Sequence, residues 1–485
     1  MNSAAKTKKK VKNRLKSNII KGTLILSCAS ILSRIIGFIY RIYLADILGE
    51  QLLGTYQLIF PIYVLCFTIY GAGMQSAISQ VVATLMGINN THPQDSNFKD
   101  NTSKYSSSSS AVSKNNNNSS LVKGNYPFVS SSARNITPRT ILLAGTILSF
   151  ILALFLCIFI NFNSKWIACN ILMVPDCDIY LKLLTYLFPF CSISACICGY
   201  QYGLENAKPP AIAGIIEQIT RILFVFIVQG FFSDKEICCQ IAVYGLTVGE
   251  FFGFLYNMST IKNKTFNKRK NKISLKESFK LLLPVFISLT SIKLTISLLH
   301  SVESIFIPAS LVKYGYTMNE ALSVYGIYSG MAMPFIMFPA TITMAISTML
   351  LPAVSKAHSS GNKKQIKKLI RRTSYFCLVT GMAATVFFLL FGNICASLFF
   401  HNELAGRYLT VMSFLCPFLY LNMTYSSILN GLGKPHMTFV ITVVCTLIKI
   451  LSLIFFVPKY GMIAYIAASL VAESLLCVML RHYCG

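Results

Sequence analysis

Cationic side chains at helical spacing inside apolar sequence can hold an anion, and two such pairs stand out. Arg34 and Arg41 lie seven residues apart, two helical turns and about 10 Å along one face, with Gly37 between them. Lys293 and His300 repeat that spacing, and Glu303 follows a turn later. Glu217 and Arg221 form an i,i+4 pair whose members can satisfy each other. All sit in apolar runs, where an ionisable group costs about 3 kcal/mol at a bilayer centre unless it meets water or a partner. Arg34, Arg41, Lys293, Glu217, Arg221, His300 and Glu303 are therefore the expected lining of a polar, anion-holding cavity. Plainer roles stand beside that one: Arg41 can snorkel, Lys293 can pair with Glu303 or Glu250, His300 can fill a polar niche, and Glu217 with Arg221 can be a structural ion pair.

The chain carries no Gly-rich phosphate loop, no HExxH and no Cys/His ligand spacing. The expectation is a protein that is not an enzyme and uses no cofactor or metal. Its 16 cysteines are mostly scattered singly through apolar stretches, as buried small hydrophobes would be. Pro61, Pro334 and Pro339 are expected to kink helices.

The elements that position these residues are membrane spans. With 54% hydrophobic and 12% charged residues and a mean hydropathy of +0.61, the chain has too little polar surface to coat a soluble globule. Apolar stretches long enough to cross a bilayer as helix fall at about 19–44, 54–87, 139–162, 179–202, 210–232, 239–258, 281–307, 323–352, 373–397, 406–429, 437–457 and 460–481. The 43 Lys and Arg, against 16 Asp and Glu, fall mostly on one side of this arrangement. Positive-inside bias then places both termini in the cytoplasm of a multi-pass protein of the cell membrane, its first span retained rather than cleaved. The basic runs Lys262 to Lys280 and Lys356 to Arg372 suit anionic lipid headgroups; no aromatic-interleaved basic stripe points to nucleic acid.

The predicted organisation is a basic N-terminus (1–18), a six-helix lobe (19–258) interrupted by a disordered Ser/Asn-rich cytoplasmic loop (89–137), a basic linker (259–280) and a second six-helix lobe (281–482). An internal repeat supports two halves. Pro189-Phe190 matches Pro417-Phe418, and Gly203-Leu204 with Lys208-Pro209 matches Gly431-Leu432 with Lys434-Pro435. Ala77-Ile78-Ser79 echoes Ala345-Ile346-Ser347, more widely spaced by nearly the length of the Ser/Asn stretch, which reads as an insertion. Six helices per half put both halves in the same orientation, related by a pseudo-twofold axis along the membrane normal. The fold class is thus all-α and polytopic, with about twelve transmembrane helices in two six-helix lobes.

Several stretches resemble the stage V sporulation protein B family, within the polysaccharide-transporter branch of the multidrug/oligosaccharidyl-lipid/polysaccharide exporter superfamily. They are Lys21 to Leu26, Ser33 to Phe38, Gly49-Glu50 with Gly54-Thr55-Tyr56, Ala77-Ile78-Ser79, Ile216 to Arg221 and Leu351 to Ser355. The resemblance implies a MATE-like, V-shaped fold that moves an undecaprenyl-pyrophosphate-linked saccharide, a peptidoglycan precursor for the spore cortex, across the cytoplasmic membrane. The partners implied are the lipid-linked saccharide, anionic membrane lipids and cell-wall synthesis enzymes.

The related lipid II flippase uses first-helix arginines, which carry over to Arg34 and, with spacing one residue longer, to Arg41. Its eighth-helix cation has no counterpart between Ser323 and Pro352, so that either Lys293 substitutes for it or the substrate is held differently, and its two further C-terminal helices have none before Gly485. The alternatives are a cation-coupled multidrug exporter of the same fold, favoured by acids in the first-half cavity, a membrane-bound transferase, which needs clustered acids or a His/Asp pair, and a non-transporting scaffold for cell-wall synthases.

Overall fold

The computed structural model describes residues 2–91, 137–261 and 275–484, with side chains described for 31–86, 137–261 and 275–484. Nearly all of the Ser/Asn-rich loop (89–137), much of the basic linker (259–280) and the side chains of the basic N-terminus (1–18) lie outside that description. Among the described residues every regular element is helical.

Helix α1 (Asn2–Phe67) is broken at Gly49, whose φ of 70° and ψ of 178° suit glycine alone. The break separates the first two predicted spans. A π turn (Thr68–Ala72) leads into α2 (Gly73–Thr91). Then come α3 (Pro138–Trp166), α4 (Cys177–Thr185), α5 (Phe188–Gly203), α6 (Lys208–Gln229) and α7 (Lys235–Thr260). The second half opens with α8 (Leu275–Tyr314), turns at Gly315 and continues through α9 (Met318–Gly326), a π turn (Ile327–Ala332) and α10 (Met333–Ser359). It ends with α11 (Lys363–Phe400), α12 (Glu403–Met412), α13 (Cys416–Gly431), α14 (Pro435–Phe455), the short α15 (Val457–Tyr460) and α16 (Met462–Cys484).

Ten described helical stretches are long and apolar enough to cross a membrane, eleven if α4 with α5, bent by 47°, is one broken span. The first stretch, 56 residues through the Gly49 break, is long enough for the first two of the twelve expected crossings.

Local sequence sets the ends. Thr137 and Thr317 cap α3 and α9, each in a reciprocal capping box with the residue three further on, Thr140 and Glu320. Proline opens α5 and α13 at Pro189 and Pro417, and α6 and α14 at Pro209 and Pro435, so the sequence repeat marks equivalent helix starts. Pro61 and Pro339 lie inside α1 and α10, and Pro334 begins α10 just after a π turn.

The same packing recurs in both halves: α2 on α5 and α10 on α13, α3 on α5 and α11 on α13, α6 on α7 and α14 on α16. Contacts also fix the register. Gly203 lies against the Ser79 carbonyl and Val82, and Gly431 lies against the Leu351 carbonyl and Val354. Gly199 meets the Gln75 carbonyl where, in the second half, Ser427 Oγ donates to the Ser347 carbonyl at 2.5 Å. Gln75 is therefore the counterpart of Ser347. The echo that aligned Ser79 with Ser347 is one helical turn out of register, because close backbone packing rather than the short Ala-Ile-Ser match sets the pairing.

Two helices cross between the halves. The inner part of α1 packs on α10, with Phe38 against Phe335 and Phe338, while α8 packs on α2. Near the Gly49 and Gly315 turns, α1 meets α9 in a reciprocal contact: Gly54 faces the Leu322 carbonyl and Gly326 faces the Glu50 carbonyl. One residue offset relates 50 to 322 and 54 to 326, as a local twofold axis requires.

Candidate functional site

The first-half cluster is built on a glycine stripe. Gly245 and Gly249 on α7 pack against Val225, the Glu217 carbonyl and Arg221, so α6 approaches closely enough to lay Glu217 and Arg221 against α7. The pair is an i,i+4 salt bridge, its side chains 27% and 15% exposed, and Arg221 Nε has no hydrogen-bond partner. Glu250, beside Gly249, stands within electrostatic reach of both. On α1, a Cβ added to Gly37 would lie 3.9 Å from Gln218 Oε1. The face that carries Arg34, Gly37 and Arg41 is thereby turned toward α6. Arg34 and Arg41 are both accessible, and Arg41 shares its electrostatic surroundings with Tyr56 and Arg221. Arg41 and Arg221 thus stand with two carboxylates, and Arg34 adds a third guanidinium about two turns along α1.

Lys293 occupies a different place. Its Nζ donates to the Ala72 carbonyl at 2.8 Å and to Ser76 Oγ at 2.5 Å, across the seam between the halves. Farther along that seam Ser297 Oγ meets Thr68 Oγ1 at 2.9 Å and Ser301 Oγ donates to the Pro61 carbonyl at 3.0 Å. Neither Glu303 nor Glu250, the acids that Lys293 could pair with, is its partner. The π turn at Thr68–Ala72 offers the ammonium a carbonyl instead, and Glu303 is engaged elsewhere.

That engagement forms a second cluster, in the other half. Lys449 Nζ on α14 lies 3.0 Å from Glu303 Oε1 and 3.6 Å from Glu473 Oε1. Tyr465 OH donates to Glu303 Oε1 at 2.8 Å, His300 Nδ1 approaches Glu303 Oε2 at 3.1 Å, and Asn422 Nδ2 donates to Glu473 Oε2 at 2.8 Å. The structure therefore brings Arg41, Glu217 and Arg221 together on one side and His300 with Glu303 on the other, with Lys293 between. Sequence reasoning missed Lys449 and Glu473, although each is a lone ionisable group in an apolar helix and the argument that singled out Arg34 applies equally to them.

The chain matches the "Polysaccharide biosynthesis protein" family model over residues 19–109 and 127–358, and the MatE model over 299–454. It is 24% identical to stage V sporulation protein B of Bacillus subtilis over 96% of this chain and 83% of that one. It is 22% identical to lipid II flippase MurJ of the same organism, covering 90% and 77%. Among solved structures it is similar to an inward-facing multidrug-resistance MATE family transporter of the MOP superfamily, with a TM-score of 0.68 at 14% identity, covering 95% and 98%. The outward-facing form of such a transporter gives 0.63 at 14% identity, covering 96% and 95%. The fold is therefore that of the MATE transporters, and the chain is a multi-pass membrane protein belonging to the polysaccharide biosynthesis protein family.

Proposed function

We propose that this protein is a transporter that moves a lipid-linked saccharide across the cytoplasmic membrane, by alternately exposing a cavity between its halves. Its substrate on this reading is an undecaprenyl-pyrophosphate-linked sugar, a peptidoglycan precursor of the spore cortex, and both termini are cytoplasmic. The observation that carries the reading is the α1 face with Arg34, Gly37 and Arg41 turned toward Gln218 and Arg221. Guanidinium forks at membrane depth suit a pyrophosphate, which they can hold bidentately, and have no other obvious occupant. The name of one relative, a lipid II flippase, agrees with a lipid-linked substrate, and that of another, a sporulation protein, agrees with the spore setting.

Anionic lipids find a surface on the first turns of α11, where Lys363, Lys364, Lys367 and Lys368 are exposed. Lys293, bound in the seam, acts on the closure of the halves rather than on the substrate. A cation-coupled drug exporter is the second reading, favoured by Glu217 and Glu250 in the first-half cluster. Proteoliposomes separate the two. On the flippase reading a fluorescent undecaprenyl-pyrophosphate saccharide is flipped and a lipophilic cationic dye is not moved; the opposite pattern establishes the exporter.

A further inference from the structure

A cavity of about 290 Å³ lies wholly within the second half, between α8, α9 with its π turn, α14 and α16. His300, with its side chain 51% exposed, stands at the mouth; Glu303, Lys449 and Glu473 are far more enclosed.

Three features of the lining bear on its occupant. Two carboxylates face one ammonium, so a phosphate is not drawn here as it is to the arginines of the other half. The wall is rich in hydroxyls: Ser469 Oγ, buried and lining the cavity, has no hydrogen-bond partner, and neither does Ser329 Oγ beside it. A buried polar atom left unpaired costs about 1–3 kcal/mol, which a ligand hydroxyl would offset. Finally, Tyr328 and Tyr465 pack edge to face at 5.5 Å, and tyrosine rings offer apolar surface together with a hydroxyl. Glu473 Oε1, at 3.6 Å from Lys449, keeps acceptor capacity as well.

We infer that this cavity is a saccharide subsite: it takes a neutral, hydroxyl-rich sugar ring of a lipid-linked saccharide, while the pyrophosphate stays at the arginine face of α1. The inference rests on the flippase reading above. Mixed charge, idle hydroxyls and aromatic walls fit a sugar, which presents many hydroxyls around a ring with apolar C–H faces. Because the cavity and the arginine face belong to different halves, a ligand held at both senses their relative motion.

The test measures binding of two radiolabelled lipids to the purified full chain: undecaprenyl pyrophosphate, and the same lipid carrying N-acetylglucosamine. The parent is expected to bind the sugar-bearing lipid about tenfold more tightly, the equivalent of one or two good hydrogen bonds. Ser329→Ala with Ser469→Ala removes hydroxyls that have no internal partner, so the fold keeps its hydrogen bonds; this double variant should lower the ratio at least about threefold. Arg34→Ala should weaken both lipids alike and leave the ratio intact. A double variant that keeps the full ratio overturns the subsite and leaves the flippase reading standing. A parent that binds neither lipid overturns both.

Discussion

Gly54 and Gly326 meet backbone to backbone across the seam, and a Cβ on either would collide with the chain opposite, at the Leu322 carbonyl for Gly54 and at the Glu50 carbonyl for Gly326. The contact lies on the local twofold axis, so it closes one end of the bundle symmetrically. An alternating-access cycle has to make and break it. Gly54→Ala and Gly326→Ala are each expected to leave an inserted, folded protein that cannot close this end, with flipping reduced about tenfold or more for a destabilisation of roughly 1.4 kcal/mol or greater. Parent-like flipping by both variants would mean that closure here is not part of the cycle.

Lys293 donates to the Ala72 carbonyl and to Ser76 Oγ, and Ser76 Oγ itself donates to the same carbonyl at 3.1 Å. Lys293→Met therefore removes a charged bond without stranding Ala72, at a cost of about 1–3 kcal/mol. Its affinity for undecaprenyl pyrophosphate is expected to stay within about twofold of the parent, whereas Arg34→Ala should lose about tenfold. Equal losses in the two variants would return Lys293 to the substrate.

Lys449 is the hinge of the second-half cluster, since it alone offsets both Glu303 and Glu473. Lys449→Met leaves two enclosed carboxylates together and is expected to cost about 3–5 kcal/mol, read as a lowered melting temperature in detergent. Glu303→Gln keeps the Lys449–Glu473 pair and should cost less. The reverse order would show that Lys449 is not the group that holds the cluster.

Much of this architecture is written in the chain, because membrane helices must be long and apolar and the inserted charges are few. The Pro-Phe and Lys-Pro repeats mark helix starts that recur in both halves, and the spacing of Arg34, Gly37 and Arg41 places them on one face before any fold is known. Partners were less legible. Lys293 could line the cavity or pair with a carboxylate, and its partner is a π-turn carbonyl, since a π turn leaves no hydropathy signal. The Glu303 network needs four helices far apart in sequence, and no local spacing announces that they meet. Gly245 and Gly249 were visible as a small-residue stripe, and reading it would have docked α7 on the Glu217–Arg221 face.

The most direct test of the central claim is the rate at which proteoliposomes flip a fluorescent undecaprenyl-pyrophosphate saccharide, comparing the parent with Arg34→Ala and Arg41→Ala variants shown to be folded and inserted. The account predicts flipping by the parent and a loss of about tenfold or more in Arg34→Ala, with Arg41→Ala also impaired. Flipping that is indifferent to both arginines, or an intact parent that does not flip this lipid, would contradict it.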